Sequence, residues 1–140
     1  MLKPLHPALR AAYDPGRFAE LGQEILRDLT QHLQDAQGQT GDRSMPWVPP
    51  EDERKHWEGR LDRKEGLAAL MREVIARSNQ LQDPRYMGHQ VAVPFPEGGL
   101  VGLVTDVLNN GGAIYEMGPT NSAMEEVLMS RIGEQMGLPK

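Results

Sequence analysis

The 140-residue sequence contains no cysteine. Disulfides, thiolate zinc sites, iron–sulfur clusters and cysteine nucleophiles are therefore excluded, and the composition is compatible with a reducing compartment. The sequence also lacks a run of 18 apolar residues and an early apolar core of signal-peptide length. We therefore expect that the chain has no membrane-spanning helix and no secretion signal. We therefore expect a soluble, cytoplasmic protein.

Positive charge is scarce. The chain carries 15 Lys and Arg against 20 Asp and Glu, which gives a net charge of −5, and it has no basic tract. Binding to nucleic acid or to an anionic membrane requires an excess of Lys and Arg facing the phosphates, so neither partner is expected. The length is that of one ordinary domain or of part of one.

Motifs of catalysis and metal binding are absent as well. The four histidines do not occur in an H-E-x-x-H spacing, which would place two imidazoles on one helix face, so no metal site is expected. No G-x-S-x-G nucleophile elbow is present, and the glycines around Gly98 and Gly102 do not form a phosphate-binding loop. From the residues alone, the chain is a helical module without a catalytic signature.

Charge is also distributed unevenly along the chain. Residues 1–82 hold 25 charged residues, whereas 83–140 hold 10, of which only Arg85, Arg131 and Lys140 are positive. The second part also contains nine glycines and five methionines, a combination that permits close backbone approach and adaptable packing. Two interpretations fit this asymmetry: a helical domain with its core at one end, or an apolar surface that contacts another polypeptide.

Hydrophobic periodicity predicts a mainly α-helical segment. Asp14 stands as an N-cap before Pro15, a residue suited to the first helical position, and the pattern predicts a helix over about 15–36. The Gly- and Pro-rich stretch 38–50 is predicted to be a loop, and we expect Trp47 to be buried and to hold it in place.

Two further helices are predicted before residue 83. The stretch 51–59 follows two prolines and begins with acidic residues, which favour the positive end of a helix dipole. The stretch 64–79 places Leu67, Leu70 and Val74 on one face and ends before a proline.

The charge-poor part is predicted to contain two helices after an extended, proline-containing crossing over 91–96. Apolar residues occupy most of the circumference over 100–108, so we expect this helix to be buried on several sides and to end at the turn 109–112. Ser122 and Glu125 have the spacing of a capping box, which predicts the start of the last helix.

Several motifs in the charge-poor part occur together in one order. They are Asp83-Pro84-Arg85-Tyr86, the turn Asn109-Asn110-Gly111, the run Tyr115-Glu116-Met117-Gly118-Pro119, and the stretch from Met124-Glu125 to Gly137-Leu138-Pro139. This stretch of about 57 residues resembles the N-terminal part of the group II pyridoxal-phosphate-dependent decarboxylases. That family includes the aromatic amino acid, glutamate and diaminobutyrate decarboxylases. Asp83 stands where many members have histidine.

The resemblance implies an aminotransferase-like (fold type I) α/β dimer, in which the N-terminal portion is mainly helical and lies across the partner subunit. It also implies pyridoxal phosphate as cofactor, a large cofactor-binding domain as partner, and a small amino acid as substrate. The sequence holds neither the Ser/Gly phosphate loop nor the His-Lys pair whose lysine binds the cofactor covalently. We therefore expect either the N-terminal piece of a decarboxylase, truncated, cleaved or split, or a stand-alone helical oligomerisation or regulatory module.

The same resemblance assigns this segment a place at the substrate pocket. His89 and Gln90 match positions that face the substrate, and Ile114 and Tyr115 match a segment that reaches the neighbouring subunit's site. We expect these four residues to form a pocket wall, and we expect no catalytic, cofactor-binding or metal-binding residue in the chain. Residues 1–82 then correspond to a polar arm with amphipathic helices, and 83–140 to the interface and pocket wall.

Overall fold

A computed structural model describes residues 6–88 and 90–138 of the chain. Within them the protein is mainly helical, and these residues contain no β-strand. The chain divides into two compact units, Met1–Val93 and Pro94–Lys140. The prediction of a mainly α segment is therefore confirmed.

The first unit begins with two helices, α1 (Pro7–Ala12) and α2 (Pro15–Gly38). Asp14 caps α2 as predicted: its Oδ1 accepts a hydrogen bond from the backbone nitrogen of Arg17 at 2.6 Å. Helix α2 extends two residues beyond the predicted end. Gln39 closes it in the left-handed conformation, at a φ of 55°, so that its backbone nitrogen donates to the carbonyl of Ala36.

Helices α3 (Pro50–Leu61) and α4 (Leu67–Arg77) complete the first unit. Helix α4 begins three residues later than predicted and packs against α2. Arg72 of α4 contributes to this packing, since it donates to Glu24 Oε1 at 2.7 Å and to Asp28 Oδ2 at 3.1 Å on α2. Among the described residues, the buried apolar side chains are those of Ala36 and Ala68, so the core of this unit is built from small groups.

The second unit contains α5 (Pro96–Leu108), a 3₁₀ turn (Tyr115–Met117) and α6 (Pro119–Gln135). Helix α5 begins four residues earlier than predicted because Pro96 serves as a first helical residue. Asn109 ends it at a φ of 46°, and the predicted stop at this turn is confirmed. Gly137, at a φ of 72°, lies at the turn that follows α6.

The capping-box prediction for the last helix is wrong. Helix α6 starts at Pro119 with Gly118 at its N-cap, and Ser122 already lies inside the helix, where its backbone nitrogen donates to the carbonyl of Gly118. The reason is local: proline is suited to the first helical turn, and it starts the helix before the serine is reached.

Two predictions of burial are also wrong for this chain. The side chain of Trp47 is 64% exposed, so it does not hold the loop 38–50 in place by burial. The apolar side chains of α5 are 47–62% exposed rather than buried on several sides. Within the described residues, none of the helices combines the length and the apolarity needed to cross a bilayer.

Candidate functional site

The four predicted pocket-wall residues are distributed over both units. His89 lies outside the described residues. Gln90 belongs to the first unit, in an exposed bend, whereas Ile114 and Tyr115 are neighbours in the second unit. Ile114 is 56% exposed and Tyr115 is 63% exposed. Both side chains are therefore open to contact, as a pocket wall requires.

The segment that leads to Gln90 is anchored by Asp83 and Arg85. The side chain of Asp83 is fully buried, and its carboxylate accepts from the backbone nitrogen of Arg85 at 2.8 Å, from Nε at 3.0 Å and from Nη2 at 2.6 Å. These hydrogen bonds from Arg85 hold the pKa of Asp83 below its ordinary value, so the carboxylate stays ionised.

Arg85 also connects this segment to the loop after α2. Its Nη2 donates to the carbonyl oxygen of Gly41 at 2.8 Å, and close by the backbone nitrogen of Gln80 donates to the carbonyl of Ser44, also at 2.8 Å. Two distant stretches of the chain are thereby fixed to each other. Asp83 consequently has a positioning role, because its carboxylate is already fully engaged by one guanidinium and one amide.

Tyr86 and Gly88 are in close contact just before position 89. A Cβ added to Gly88 would lie 2.3 Å from the ring carbon Cζ and from the hydroxyl oxygen of Tyr86. Any larger residue at 88 would therefore displace the tyrosine ring. Glycine here allows the ring to lie against the backbone.

A cluster of charged side chains joins α3 to α4, and sequence reasoning did not anticipate it. Glu53 accepts from Arg77 Nε at 2.9 Å and from Trp57 Nε1 at 2.7 Å. The hydrogen bonds from Arg77 are the main reason that the pKa of Glu53 is lowered to about 2. The Glu53–Trp57 spacing of four residues on a helix is visible in the sequence, but the pairing between helices is not.

The second half of this cluster centres on Glu73. Arg60 is almost fully buried, and its Nε donates a hydrogen bond to Glu73. Its Nη2 lies 3.0 Å from Glu65 Oε2. On the other side of Glu73, His56 Nε2 lies 2.6 Å from Glu73 Oε1. Arg60 lowers the pKa of Glu73, so this carboxylate is held as an anion. Carboxylates paired in this way are suited to holding two helices together rather than to accepting a proton from a substrate. In the part of the chain that the structure describes, no group of three or more His, Asp or Glu could hold a metal ion.

The second unit presents a set of exposed apolar side chains, which we call the apolar surface. Each of its members is 44–66% exposed. It comprises Leu100, Val101, Leu103, Val104, Val107 and Leu108 of α5, Ile114, Tyr115 and Met117, and Met124, Val127, Leu128, Met129 and Ile132 of α6. Monomeric proteins rarely leave so many large apolar side chains uncovered, so the apolar surface is the main candidate for a functional site.

Backbone contacts fix the turn that carries Ile114 and Tyr115. A Cβ on Gly118 would lie 2.5 Å from the carbonyl oxygen of Gly111, and Asn121 Nδ2 donates to the carbonyl of Asn110 at 3.3 Å. The turn after α5 is thus packed directly against the start of α6. Ile114 and Tyr115 lie between these two fixed points.

The two lysines that the structure describes, Lys55 and Lys64, are both exposed. Lys55 is exposed, lies 4.0 Å from the carboxylate of Asp52, and precedes His56 rather than following a histidine. Lys64 is exposed in the stretch before α4, and Lys3 and Lys140 lie outside the described residues. Among the described residues, neither Lys55 nor Lys64 is enclosed, and the expectation that the chain does not bind pyridoxal phosphate covalently stays a prediction.

Comparison with known proteins adds no relative. No protein-family model, no curated protein and no solved structure matches the chain. The resemblance of the stretch 83–139 to the decarboxylases remains a prediction.

Proposed function

We propose that the chain is the N-terminal segment or a subunit of a pyridoxal-phosphate-dependent amino acid decarboxylase, in which it contributes a dimer interface and a wall of the substrate pocket. The observation that supports this most is the exposure of the apolar surface at Ile114, Tyr115 and both neighbouring helices. An interface segment needs such a surface, whereas an independent monomer is destabilised by it. The choice of the decarboxylase family depends on the resemblance of the motifs in the stretch 83–139.

In this proposal the large domain is a separate part of the enzyme and supplies the cofactor and its lysine. When bound there, the cofactor withdraws electrons from the substrate and makes loss of carbon dioxide possible. This chain binds and orients the substrate and excludes water. His89 and Gln90 donate or accept hydrogen bonds to the substrate side chain, and Ile114 and Tyr115 cover the pocket.

The alternative is a stand-alone helical module for oligomerisation or regulation. The same apolar surface favours it, since a module of this kind also needs an uncovered face. The two functions differ in whether a polypeptide with a Ser/Gly-rich loop and a His-Lys pair belongs to the same assembly.

Co-expression tests the proposal. The chain is produced together with the polypeptide that continues its reading frame, or that begins in an adjacent frame, if it carries those two motifs. We expect the two to copurify and to release carbon dioxide from one amino acid among aromatic, acidic and diamino substrates. The decarboxylase proposal would be rejected if the large domain were fully active without this chain, or if no reading frame carried the two motifs. The stand-alone helical module would then be the favoured function.

A second measurement uses the isolated chain. Pyridoxal phosphate followed by borohydride should give no stoichiometric adduct at a single lysine, because neither Lys55 nor Lys64 is enclosed. Mass spectrometry of the reduced sample would detect one. A single, fully modified lysine would mean that the chain holds the cofactor itself, contrary to the proposal.

A further inference from the structure

The two units differ in how their charges are neutralised. In residues 6–88 twelve Lys and Arg stand against fourteen Asp and Glu, and the ion pairs found among the described residues all lie in this unit. In residues 94–138 there are six carboxylates and a single cation, Arg131. Over the full sequence, with Lys3 and Lys140 included, residues 94–140 carry −4 of the net charge of −5.

The carboxylates of the second unit adjoin the apolar surface. Glu97 precedes Leu100 by three residues and Val101 by four, which makes them neighbours on α5. On α6, Glu125 stands in the same relation to Leu128 and Met129.

Five of the second unit's carboxylates form no ion pair with another described residue. Glu97, Asp106, Glu116, Glu125 and Glu126 are exposed, and none of them forms an ion pair with another described residue. An exposed apolar surface is therefore bordered by anions that nothing in the described chain neutralises.

We infer that the apolar surface docks against a partner protein surface that is apolar at its centre and carries Lys or Arg around it. Charges across an interface are arranged with opposite sign, because like charges that face each other disfavour the complex. A second copy of the same surface would bring one acidic border against another. The partner surface is therefore different from the apolar surface itself.

The methionines agree with this role. Met117, Met124 and Met129 are all exposed, and methionine side chains adapt their shape to the surface that they contact. The inference rests on the proposed function in one respect: there, the basic surface belongs to the large domain. Its test needs neither cofactor nor activity, so the two can fail separately.

A charge-reversed copy of the chain can serve as the basic-bordered partner. The variant Glu97→Lys/Glu125→Lys/Glu126→Lys keeps the apolar side chains and reverses three border charges. A matched control, Glu20→Lys/Glu51→Lys/Asp62→Lys, makes the same change in net charge at exposed positions of the first unit. Circular dichroism should show that both variants keep their helices, because all six positions are exposed. Each variant places one lysine in a first helical turn, at Glu97 or at Glu51, so the two are also matched in this unfavourable dipole effect.

Sedimentation of equimolar mixtures then measures association. At about 50 mM salt the unchanged chain should bind the border variant about tenfold more tightly than it binds itself or the control variant, since several exposed ion pairs contribute modestly each. At about 500 mM salt the preference should disappear, because the charges are screened. Self-association of the unchanged chain as tight as the mixture, at both salt concentrations, would overturn the inference, as would equal binding of the control variant.

Discussion

Arg85 encloses the carboxylate of Asp83, two residues before it, with its backbone nitrogen, its Nε and its Nη2. The same Nη2 reaches the carbonyl oxygen of Gly41. The buried carboxylate thus orients a guanidinium that connects the stretch before position 89 to the loop after α2. This relationship gives Asp83 a structural reason to be acidic, independent of any substrate.

Replacing Asp83 by Asn should loosen this connection. The amide accepts fewer of the three hydrogen bonds and carries no charge to hold the guanidinium, so the melting temperature should fall by several degrees. Hydrogen exchange of the amides at 41–44 and 83–88 should accelerate, because these stretches depend on Arg85. Asp62→Asn, at an exposed helix end, serves as the control and should change neither. Unchanged exchange at 41–44 in Asp83→Asn would show that the loop is held by other contacts.

The ion pair between Glu53 and Arg77 predicts a pH dependence of stability. The pKa of Glu53 is lowered from 4.5 to about 2 in the folded chain. A group whose pKa is lowered by folding stabilises the fold above its ordinary pKa, and this stabilisation is lost as the pH falls through the folded value. The contribution of Glu53 should therefore be complete above about pH 4.5 and should decline between that pH and about 2.

Urea unfolding at several pH values measures this decline. Trp57 donates to Glu53, so its fluorescence reports on the pair directly in a Trp47→Phe background. In that background, Glu53→Gln should lower the urea midpoint at neutral pH and flatten its fall toward low pH. Glu20→Gln, at an exposed position on α2, should leave the pH profile unchanged. If the urea midpoint fell equally steeply toward low pH with and without Glu53, another carboxylate would dominate acid unfolding.

Local signals in the sequence predicted where helices lie. Asp14 and Pro15 predicted the start of α2, and the turn at Asn109 predicted the end of α5, because capping and left-handed residues act on their immediate neighbours. The prediction failed where two local signals competed: Pro119 starts α6 before Ser122 can cap it.

Burial and pairing between elements could not be read from the sequence. Trp47 is apolar enough to predict burial, but its exposure depends on whether another part of the chain reaches it. The Glu53–Arg77 pair joins residues 24 positions apart, and no periodicity connects them. For the pocket wall, the sequence indicated His89, Gln90, Ile114 and Tyr115 through resemblance alone, and their shared role remains a prediction.

His89 is predicted to affect catalysis only in the assembled enzyme. In the proposed pocket wall its imidazole hydrogen-bonds a polar or charged substrate group, and such a bond contributes roughly 1.5 to 3 kcal/mol. His89→Ala should therefore lower kcat/KM by about 10- to 150-fold, with the cofactor still bound and the assembly intact. His32→Ala, on α2, is the control. Full activity of His89→Ala would remove this residue from the pocket wall, and loss of the cofactor would place it at the cofactor instead.

Two glycines of the second unit should respond oppositely to the same added methyl group. At Gly118 the new Cβ would lie 2.5 Å from the backbone oxygen of Gly111, a group that cannot rotate away. The φ of Gly118 is −161°, which any residue adopts, so this contact alone decides the outcome. Gly118→Ala should separate the turn from α6 and cost about 1–3 kcal/mol.

Gly102 lies inside α5, and a Cβ there meets nothing within 4 Å. Gly102→Ala should therefore stabilise the helix by roughly 0.5–1 kcal/mol, because alanine loses less backbone freedom on folding than glycine does. Hydrogen exchange of α5 and of the turn 109–118, read by mass spectrometry, measures both variants in one experiment. We expect slower exchange across α5 in Gly102→Ala and faster exchange across the turn in Gly118→Ala. Unchanged exchange at the turn in Gly118→Ala would contradict the close packing of Gly111 on Gly118, and with it the fixed position of Ile114 and Tyr115.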